Sequence, residues 1–335
     1  MITDSKKIAI YLTNKCNLKC KHCFMEGSPM NDSFLSWGQI KTALSNFFSQ
    51  DFKHVELSGG ESCLSPYFLD AINEAKRIGY TVGVSTNGTN GHIFKIINPK
   101  IVDKITFSLD GATASTHARL RGPQAYELCL NNIKKAVSQG FRVEVVYTVH
   151  RYNLKEIAPV IKLLDKLKVD RLTFGFINNA GSATLNQHFL LEAKNWITAK
   201  KDIEAHSNTQ HMSIRYPPLF VTKSEFEAIK TNTDYRCLVA DPVKIEIYPD
   251  GYFYGCCFVT SNKDLSLGKI FDDHVEADNT NAKNFSQKYC AKSCPAIQTS
   301  LIFSNNNKLV PVCLYCKIIT QPHPVNKMLG AKSHS

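Results

Sequence analysis

No apolar run in the 335 residues approaches the roughly eighteen that a membrane-crossing helix needs, although 43% of the chain is hydrophobic. A secretory signal is missing too. Met1-Ile-Thr-Asp-Ser-Lys-Lys7 is basic, but only about six apolar positions follow before Asn14, which is too short and too polar. The chain therefore reads as cytoplasmic, with no membrane partner. Acidic side chains are the scarcer sign, 29 against 40 basic, giving a formal charge of +11. Yet no five Lys or Arg stand consecutively, and the basic residues spread along helix-like segments. That pattern favours a solvated basic surface with anionic ligands inside over a nucleic-acid-binding one.

Cysteine is plentiful, with twelve in the chain. In a reducing compartment that number points to metal ligation or chemistry before disulfides. Three fall at Cys16, Cys20 and Cys23, two stand alone at Cys63 and Cys129, and seven lie between 237 and 316. The first group follows the strand-like run Ile8 to Leu12, so it forms a loop at a strand's C-terminal end. Iron and thiolate are a soft pairing, and a [4Fe–4S] cluster normally takes four cysteines, one per iron. Here one loop offers three, which leaves one iron open for a ligand that is not protein. A structural zinc site with His22 as fourth ligand is the competing reading. Cys63 and Cys129 have no sequence partners and read as small buried hydrophobes.

Beyond the loop, strand-like runs (54–58, 81–85, 104–108, 142–147 and 171–175) alternate with helix-like segments near 36–49, 66–78, 91–98, 125–139 and 154–167. The alternation predicts a parallel sheet. Six strands make a partial (β/α)6 TIM-like barrel, an α/β fold whose functional groups gather at the C-terminal strand ends. Polar and glycine-rich clusters fall at those ends: Ser58-Gly59-Gly60-Glu61, Ser85-Thr-Asn-Gly88, Ser108-Leu-Asp110-Gly111 and His150-Arg-Tyr-Asn153. Each alone is an ordinary turn signal. Four on one rim suggest a ring of donors and acceptors around an open iron, suited to a polar, zwitterionic ligand.

The Cys16-x3-Cys20-x2-Cys23-Phe24 loop, the Gly59-Gly60-Glu61 turn, and Ser108-Leu-Asp-Gly111 ahead of Thr116-His-Ala-Arg-Leu-Arg121-Gly122 together resemble the radical S-adenosylmethionine (SAM) enzymes over residues 6 to 177. The resemblance implies that the three cysteines hold a [4Fe–4S] cluster whose open iron is chelated by the methionine end of SAM. Reductive cleavage then yields a 5′-deoxyadenosyl radical that abstracts a substrate hydrogen atom. It also implies cofactor contacts: Gly59, Gly60 and Glu61 at the methionine amino group, Ser85, Ser108 and Asp110 toward the ribose, Arg121 at the carboxylate, Phe24 by the adenine, and Asn153 as a further contact. Arg119 reads either as another contact or as a solvated charge.

The alternation degrades past 178. Residues 187–206 read as a helix, and Tyr216-Pro-Pro218 breaks the chain. The expected division is a barrel at 1–205, a bridging region at 206–232, an auxiliary-cluster domain at 233–320 and a flexible tail at 321–335. Lys244 to Tyr248 and Tyr252 to Tyr254 flank Pro249-Asp-Gly251, a hairpin signal. Cys237 precedes it and Cys256 ends it, an opening that resembles the SPASM or shorter twitch domains of radical SAM enzymes. The full cysteine run is absent, since Asn284 stands where a cysteine belongs. One auxiliary [4Fe–4S] cluster is expected from Cys237, Cys256 and two of Cys290, Cys294, Cys313 and Cys316, with a zinc site built from the last four as the alternative. Cys257 reads as a hydrogen-atom donor, a cluster ligand or a buried strand thiol.

Three functions follow. The first is epimerisation, crosslinking or oxidation of a ribosomally made peptide. The second is twitch-type oxidation or epimerisation of a small molecule such as an amino sugar, and the third a non-catalytic iron–sulfur electron carrier. The first strand begins about seven residues into the chain, so a separate leader-peptide-binding protein, or recognition by the barrel, is expected. A flavodoxin- or ferredoxin-like protein is expected as electron donor.

Overall fold

The computed structural model describes residues 6–27, 30–216, 220–222, 243–256, 263–278 and 309–311. Its centre is a run of parallel strands: β1 (Lys7–Tyr11), β2 (His54–Ser58), β3 (Thr81–Thr86), β4 (Lys104–Ser108), β5 (Arg142–Val149), β6 (Arg171–Phe176) and the short β7 (Ser213–Arg215). They pair in sequence order, and the sheet does not close on itself. Six strands match the expected partial barrel. β7 adds a seventh, inside the stretch expected to be only a bridge.

The strands are joined by α1 (Trp37–Ser49), α2 (Phe68–Ile78), α3 (Ala114–Arg121), α4 (Ala125–Ser138), α5 (Ile157–Lys166) and, before β7, α6 (Ala193–Ala205). Alternate strand residues differ sharply in environment. Ile8, Ile10, Val55, Leu57, Val82, Val84, Ile105, Phe107, Val143, Val145, Leu172 and Phe174 are buried with Ile40, Leu44 and Phe47 of α1, Ile72 of α2, Ile133 of α4 and Val160 and Leu164 of α5. The opposite, inner face presents Lys7, Glu56, Ser85, Lys104, Thr106, Glu144 and Arg171. Each fully buried Ile, Val or Leu contributes roughly 1.5–3 kcal/mol, so the helix-facing layer holds the sheet together.

Two expected helices differ. Residues 91–98 form only a 3₁₀ turn at Gly91–Lys95, because Asn90 caps the His92 amide at 3.1 Å and Pro99 follows closely. The helix expected over 187–206 starts at Ala193: Gln187–Phe189 is a 3₁₀ turn and Leu190 is extended.

The predicted hairpin is present as β9 (Lys244–Ile247) and β10 (Tyr252–Tyr254), after the short β8 (Phe220–Thr222). β9 pairs in parallel with β1, Ile8 opposite Ile245, so the hairpin extends the barrel sheet. Then β11 (Gly268–Ile270) and β12 (Val275–Ala277) continue antiparallel, while β13 (Leu309–Pro311) pairs with β8. The Ser36 capping box at the start of α1 ties this meander down. Ser36 accepts from the Gln39 amide at 3.0 Å, Gln39 Nε2 donates to the Ile270 carbonyl at 3.0 Å, and Ser36 Oγ donates to Asp272. Among the described residues no helix is long and apolar enough to cross a membrane.

Candidate functional site

The cysteine loop leaves β1 and is clamped by the turn after β2. The Gly60 amide donates to the Thr13 carbonyl at 2.7 Å, and the Glu61 amide to the Lys15 carbonyl at 2.8 Å. A side chain on Gly60 would bring a Cβ within 2.5 Å of Lys15 O and 2.6 Å of Asn14 O. Both are backbone atoms that cannot swing aside, so glycine is required for the loop to seat. Gly59 lies as close, its added Cβ falling 2.6 Å from Thr13 O.

Glu61 faces inward and is 1% exposed. It accepts from the Asn87 amide at 2.8 Å and Thr86 Oγ1 at 2.7 Å, locking the β2 turn to the β3 turn. Burial raises its pKa, while those hydrogen bonds pull the other way. Asn87 also donates to Cys16 Sγ at 3.8 Å and to Asn17 Oδ1 at 2.9 Å, and the Leu18 amide donates to Cys16 Sγ at 3.4 Å. Cys63 sits between Glu61 and Asn90, and Cys129 is fully buried with its thiol pushed up to about 12 by burial.

Behind Cys20 lies a second, largely buried cluster. Arg121 at the end of α3 donates from Nε to Asp110 Oδ2 at 2.5 Å, from Nη1 to Cys20 Sγ at 3.8 Å, and lies 3.4 Å from His22 Nε2. The other Asp110 oxygen accepts from the Thr148 amide at 3.0 Å, and the Asp110 amide donates to His117 Nδ1 at 3.1 Å. Burial opposes the Asp110 charge, but the Arg121 guanidinium outweighs it and holds the carboxyl well below its usual range. Burial drives His22 and His117 down to about 4, so both are neutral at pH 7. Asn153 closes the group: its Nδ2 donates to the carbonyls of Asp110 (3.1 Å) and Thr148 (2.8 Å), and its Oδ1 accepts from the His150 amide (2.8 Å).

Ser85 and Ser108 lie half-buried at the upper ends of their strands on the inner face, with Ser85 Oγ donating to Glu56 Oε1 at 2.6 Å. Below them runs a ladder of ion pairs: Lys104 to Glu56 (3.1 Å) and Glu144 (3.3 Å), then Glu144 to Arg171 (2.9 Å) and Arg142 (3.2 Å). Phe24 is 40% exposed and meets Tyr11 edge-on, while Tyr11 stacks on Tyr248 of the hairpin at 4.6 Å. Phe24, Asn14, Tyr248 and Tyr254 line a cavity of about 370 Å³ there.

A family model for the Radical SAM superfamily matches residues 10–164, which span the cysteine loop, every turn just described and α5 up to Leu164. Residues 10–164 are a radical SAM superfamily domain. Among curated radical SAM relatives, the antilisterial bacteriocin subtilosin biosynthesis protein AlbA of Bacillus subtilis is 24% identical over 278 residues, 79% of this chain and 57% of AlbA. The chain thus spans just over half the length of that relative. Among solved structures, Streptococcus suis SuiB bound to S-adenosylmethionine superposes with a TM-score of 0.58 at 14% identity, covering 76% of this chain and 61% of SuiB. Native anSMEcpe with bound AdoMet gives 0.62 at 16% identity, covering 89% and 82%. These likenesses show the radical SAM fold.

The radical SAM loop suits an iron–sulfur centre. Burial pushes the Cys20 thiol up to about 12 and raises Cys16, so bare thiolates are disfavoured here, whereas a coordinated metal deprotonates them outright. Asn14 Oδ1 and His22 Nδ1, both on the loop, are buried with no hydrogen-bond partner among the described residues, as expected beside a group that supplies contacts of its own. Among the described residues no three His, Cys, Asp or Glu converge on one point as a single ion requires. His22 turns to Asp110 and Arg121, which argues against the zinc alternative.

Sequence reasoning treated Asp110, Arg121 and Asn153 as separate contacts; the fold joins them in one buried unit. It missed His117 and Asn87, and took His22 only as a metal ligand. Asn87 was in view inside Ser85-Thr-Asn-Gly88, but nothing local signals that it faces a thiol 71 positions away. Of the auxiliary-cluster residues, Cys256 is buried at the end of the hairpin. Cys237, Cys257, Cys290, Cys294, Cys313 and Cys316 lie outside the described residues.

Proposed function

We propose that this protein reductively cleaves SAM and abstracts a hydrogen atom from a ribosomally made peptide, leaving it epimerised, crosslinked or oxidised. The observation that carries the reading is the three-thiol loop seated on the Gly59-Gly60 turn, with Cys20 backed by the buried Asp110–Arg121 pair. Support for a peptide substrate comes from the relatives: AlbA serves bacteriocin biosynthesis, SuiB is known bound to precursor peptide SuiA, and anSMEcpe is known with a bound Kp18Cys peptide.

Cys16, Cys20 and Cys23 hold the [4Fe–4S] cluster that supplies the electron for SAM cleavage. The Gly59-Gly60 turn meets the methionine end of SAM, Ser108 and Ser85 face its ribose, and the exposed ring of Phe24 lies by its adenine. Glu61, Asp110 and Asn153 act one layer back: they are buried and bonded to neighbouring loops, and they fix the positions of the groups in front of them. Arg121 reaches the site from that layer, its charge balanced by Asp110. Cys256, with Cys237 and two of the four later cysteines, holds an auxiliary cluster, and Cys257, the next residue in the sequence, is the hydrogen-atom donor.

Anaerobic reconstitution tests this. About eight iron atoms per chain are expected for two [4Fe–4S] clusters, with 5′-deoxyadenosine formed on reduction in the presence of SAM. No 5′-deoxyadenosine from protein with a full first cluster overturns the enzyme assignment. About four irons remove the auxiliary cluster. For Cys257, the Cys257→Ala variant is expected to form 5′-deoxyadenosine without placing solvent deuterium in the peptide; undiminished incorporation overturns that role.

A further inference from the structure

We propose that the exposed basic and aromatic surface around Lys19, Lys21, Arg119 and Tyr152 is the docking site for an acidic electron-transfer protein. The inference rests on the proposed reductive cleavage, which requires one electron from outside the chain. The donor is oxidised by one electron and the centre reduced by one; no bond forms or breaks.

The patch is built against a cluster cysteine. Lys19 and Lys21 flank Cys20 in sequence and both are exposed. The Lys21 amide donates to the Leu120 carbonyl at 2.9 Å, bringing the end of α3 against the loop. One residue before Leu120, the exposed Arg119 lays its guanidinium over the Tyr152 ring at 4.9 Å. Lys21 Nζ stands 5.6 Å over the Phe189 ring, and Tyr152 and Phe189 meet edge-to-face at 5.4 Å. Lys21, Tyr152 and Arg119 are therefore one contiguous surface laid over the buried Phe189 ring, and Tyr152 is 43% exposed within it.

Among the described residues no carboxylate pairs with Lys19, Lys21 or Arg119: Asp110 is committed to Arg121, and Glu192 to Arg151 and Lys194. Two cations held over aromatic rings, Lys21 and Arg119, with the exposed Lys19 two residues before Lys21 in the chain, attract a partner of opposite charge and speed its encounter. Patches this small suit weak electron-transfer encounters, which bury less surface than stable complexes. The residues come from the cysteine loop, α3 and the loops after β5 and β6, and none from the inner face of the sheet. A peptide lying on that face does not need them, so the observations favour a donor over the substrate.

Reduced flavodoxin, an acidic donor, is the probe. With the reconstituted enzyme, cluster reduction is followed by stopped-flow absorbance, and affinity for oxidised flavodoxin by calorimetry. The wild-type rate is expected to fall as salt is raised. The Lys21→Glu/Arg119→Glu double variant is expected to be reduced by flavodoxin about tenfold more slowly and to bind it more weakly, with iron content and the dithionite rate unchanged. Lys21→Gln/Arg119→Gln, which leaves the surface neutral, is expected to fall between. The proposal is overturned if the double variant takes electrons from flavodoxin as fast as the wild type, if the rate ignores salt, or if dithionite reduction slows equally. It is also overturned if only the KM for the peptide moves, which would make the patch a substrate surface. Efficient reduction by flavodoxin without 5′-deoxyadenosine would defeat the enzymatic reading and leave the docking site standing.

Discussion

Two charged assemblies sit at opposite ends of the same strands and are built on opposite principles. At the C-terminal end, Asp110 is 0% exposed, with Arg121 and three histidines, His22, His117 and His150, around it. Toward the N-terminal end, Lys104, Glu56, Glu144 and Arg171 form a relay that water partly reaches, with side chains 9 to 31% exposed. The upper group is the drier of the two, its ion-paired side chains 0 to 13% exposed, so each member depends on its partners, because an unpaired buried charge is costly. In the lower ladder the buried Glu144 has three cationic partners and water reaches Lys104, so any one pair is worth little. The upper assembly therefore reads as a rigid mount for the cysteine loop, the lower one as a tolerant lining.

The sharpest way to break that contrast is Asp110→Ala. Stranding Arg121 in a dry site is expected to cost about 3–5 kcal/mol in denaturant unfolding and to lower iron incorporation, since Arg121 also touches Cys20. A loss under 1 kcal/mol would show that water enters the upper site. Gly60→Ala comes next: its methyl meets two loop carbonyls, for an expected loss of about 1–3 kcal/mol and incomplete cluster loading by iron assay.

Acid should find the upper end first. His117 faces Asp110 and Arg121, with the Tyr126 ring 5.8 Å away, and burial holds its folded pKa at about 4 against about 6.5 unfolded. Because the folded value is the lower one, the unfolded chain binds the proton first. Stability is then complete above about pH 6.5 and lost as pH falls from there toward 4. In His117→Gln the fall in Tm across that window should be shallower, by differential scanning fluorimetry; an unchanged slope would place the acid sensitivity elsewhere. The smallest effect belongs to the ladder. Lys104→Met is expected to cost about 1 kcal/mol or less, and a loss of 3 kcal/mol would erase the distinction between the two ends.

How far the sequence revealed this contrast differs between its halves. The βα alternation and the period-two strands were readable because they reflect local burial, and the cysteine loop and glycine turn because few residue types can perform those tasks. What local pattern does not carry is the direction a polar side chain takes. Glu61, Asp110 and Asn153 have the composition of ligand contacts, yet each points into the protein, held by loops 25 to 43 positions away. β7, three residues long, offers too little period to detect, and the parallel pairing of β9 with β1 joins segments more than two hundred residues apart. The 91–98 segment had helical periodicity but too little length between Asn90 and Pro99 to propagate.

That long-range pairing bears on how the molecule is made. During synthesis β1 can pair with β2 soon after it emerges, but its other edge stays open until residue 247 has left the ribosome. Over that interval the apolar run Ile8-Ala-Ile-Tyr-Leu12 is an unpaired edge, the feature that invites intermolecular strand pairing. The strand that presents the cysteine loop is thus among the last in the sheet to be closed off. Truncation ahead of β9 should leave a chain that forms most of its helices yet aggregates through β1.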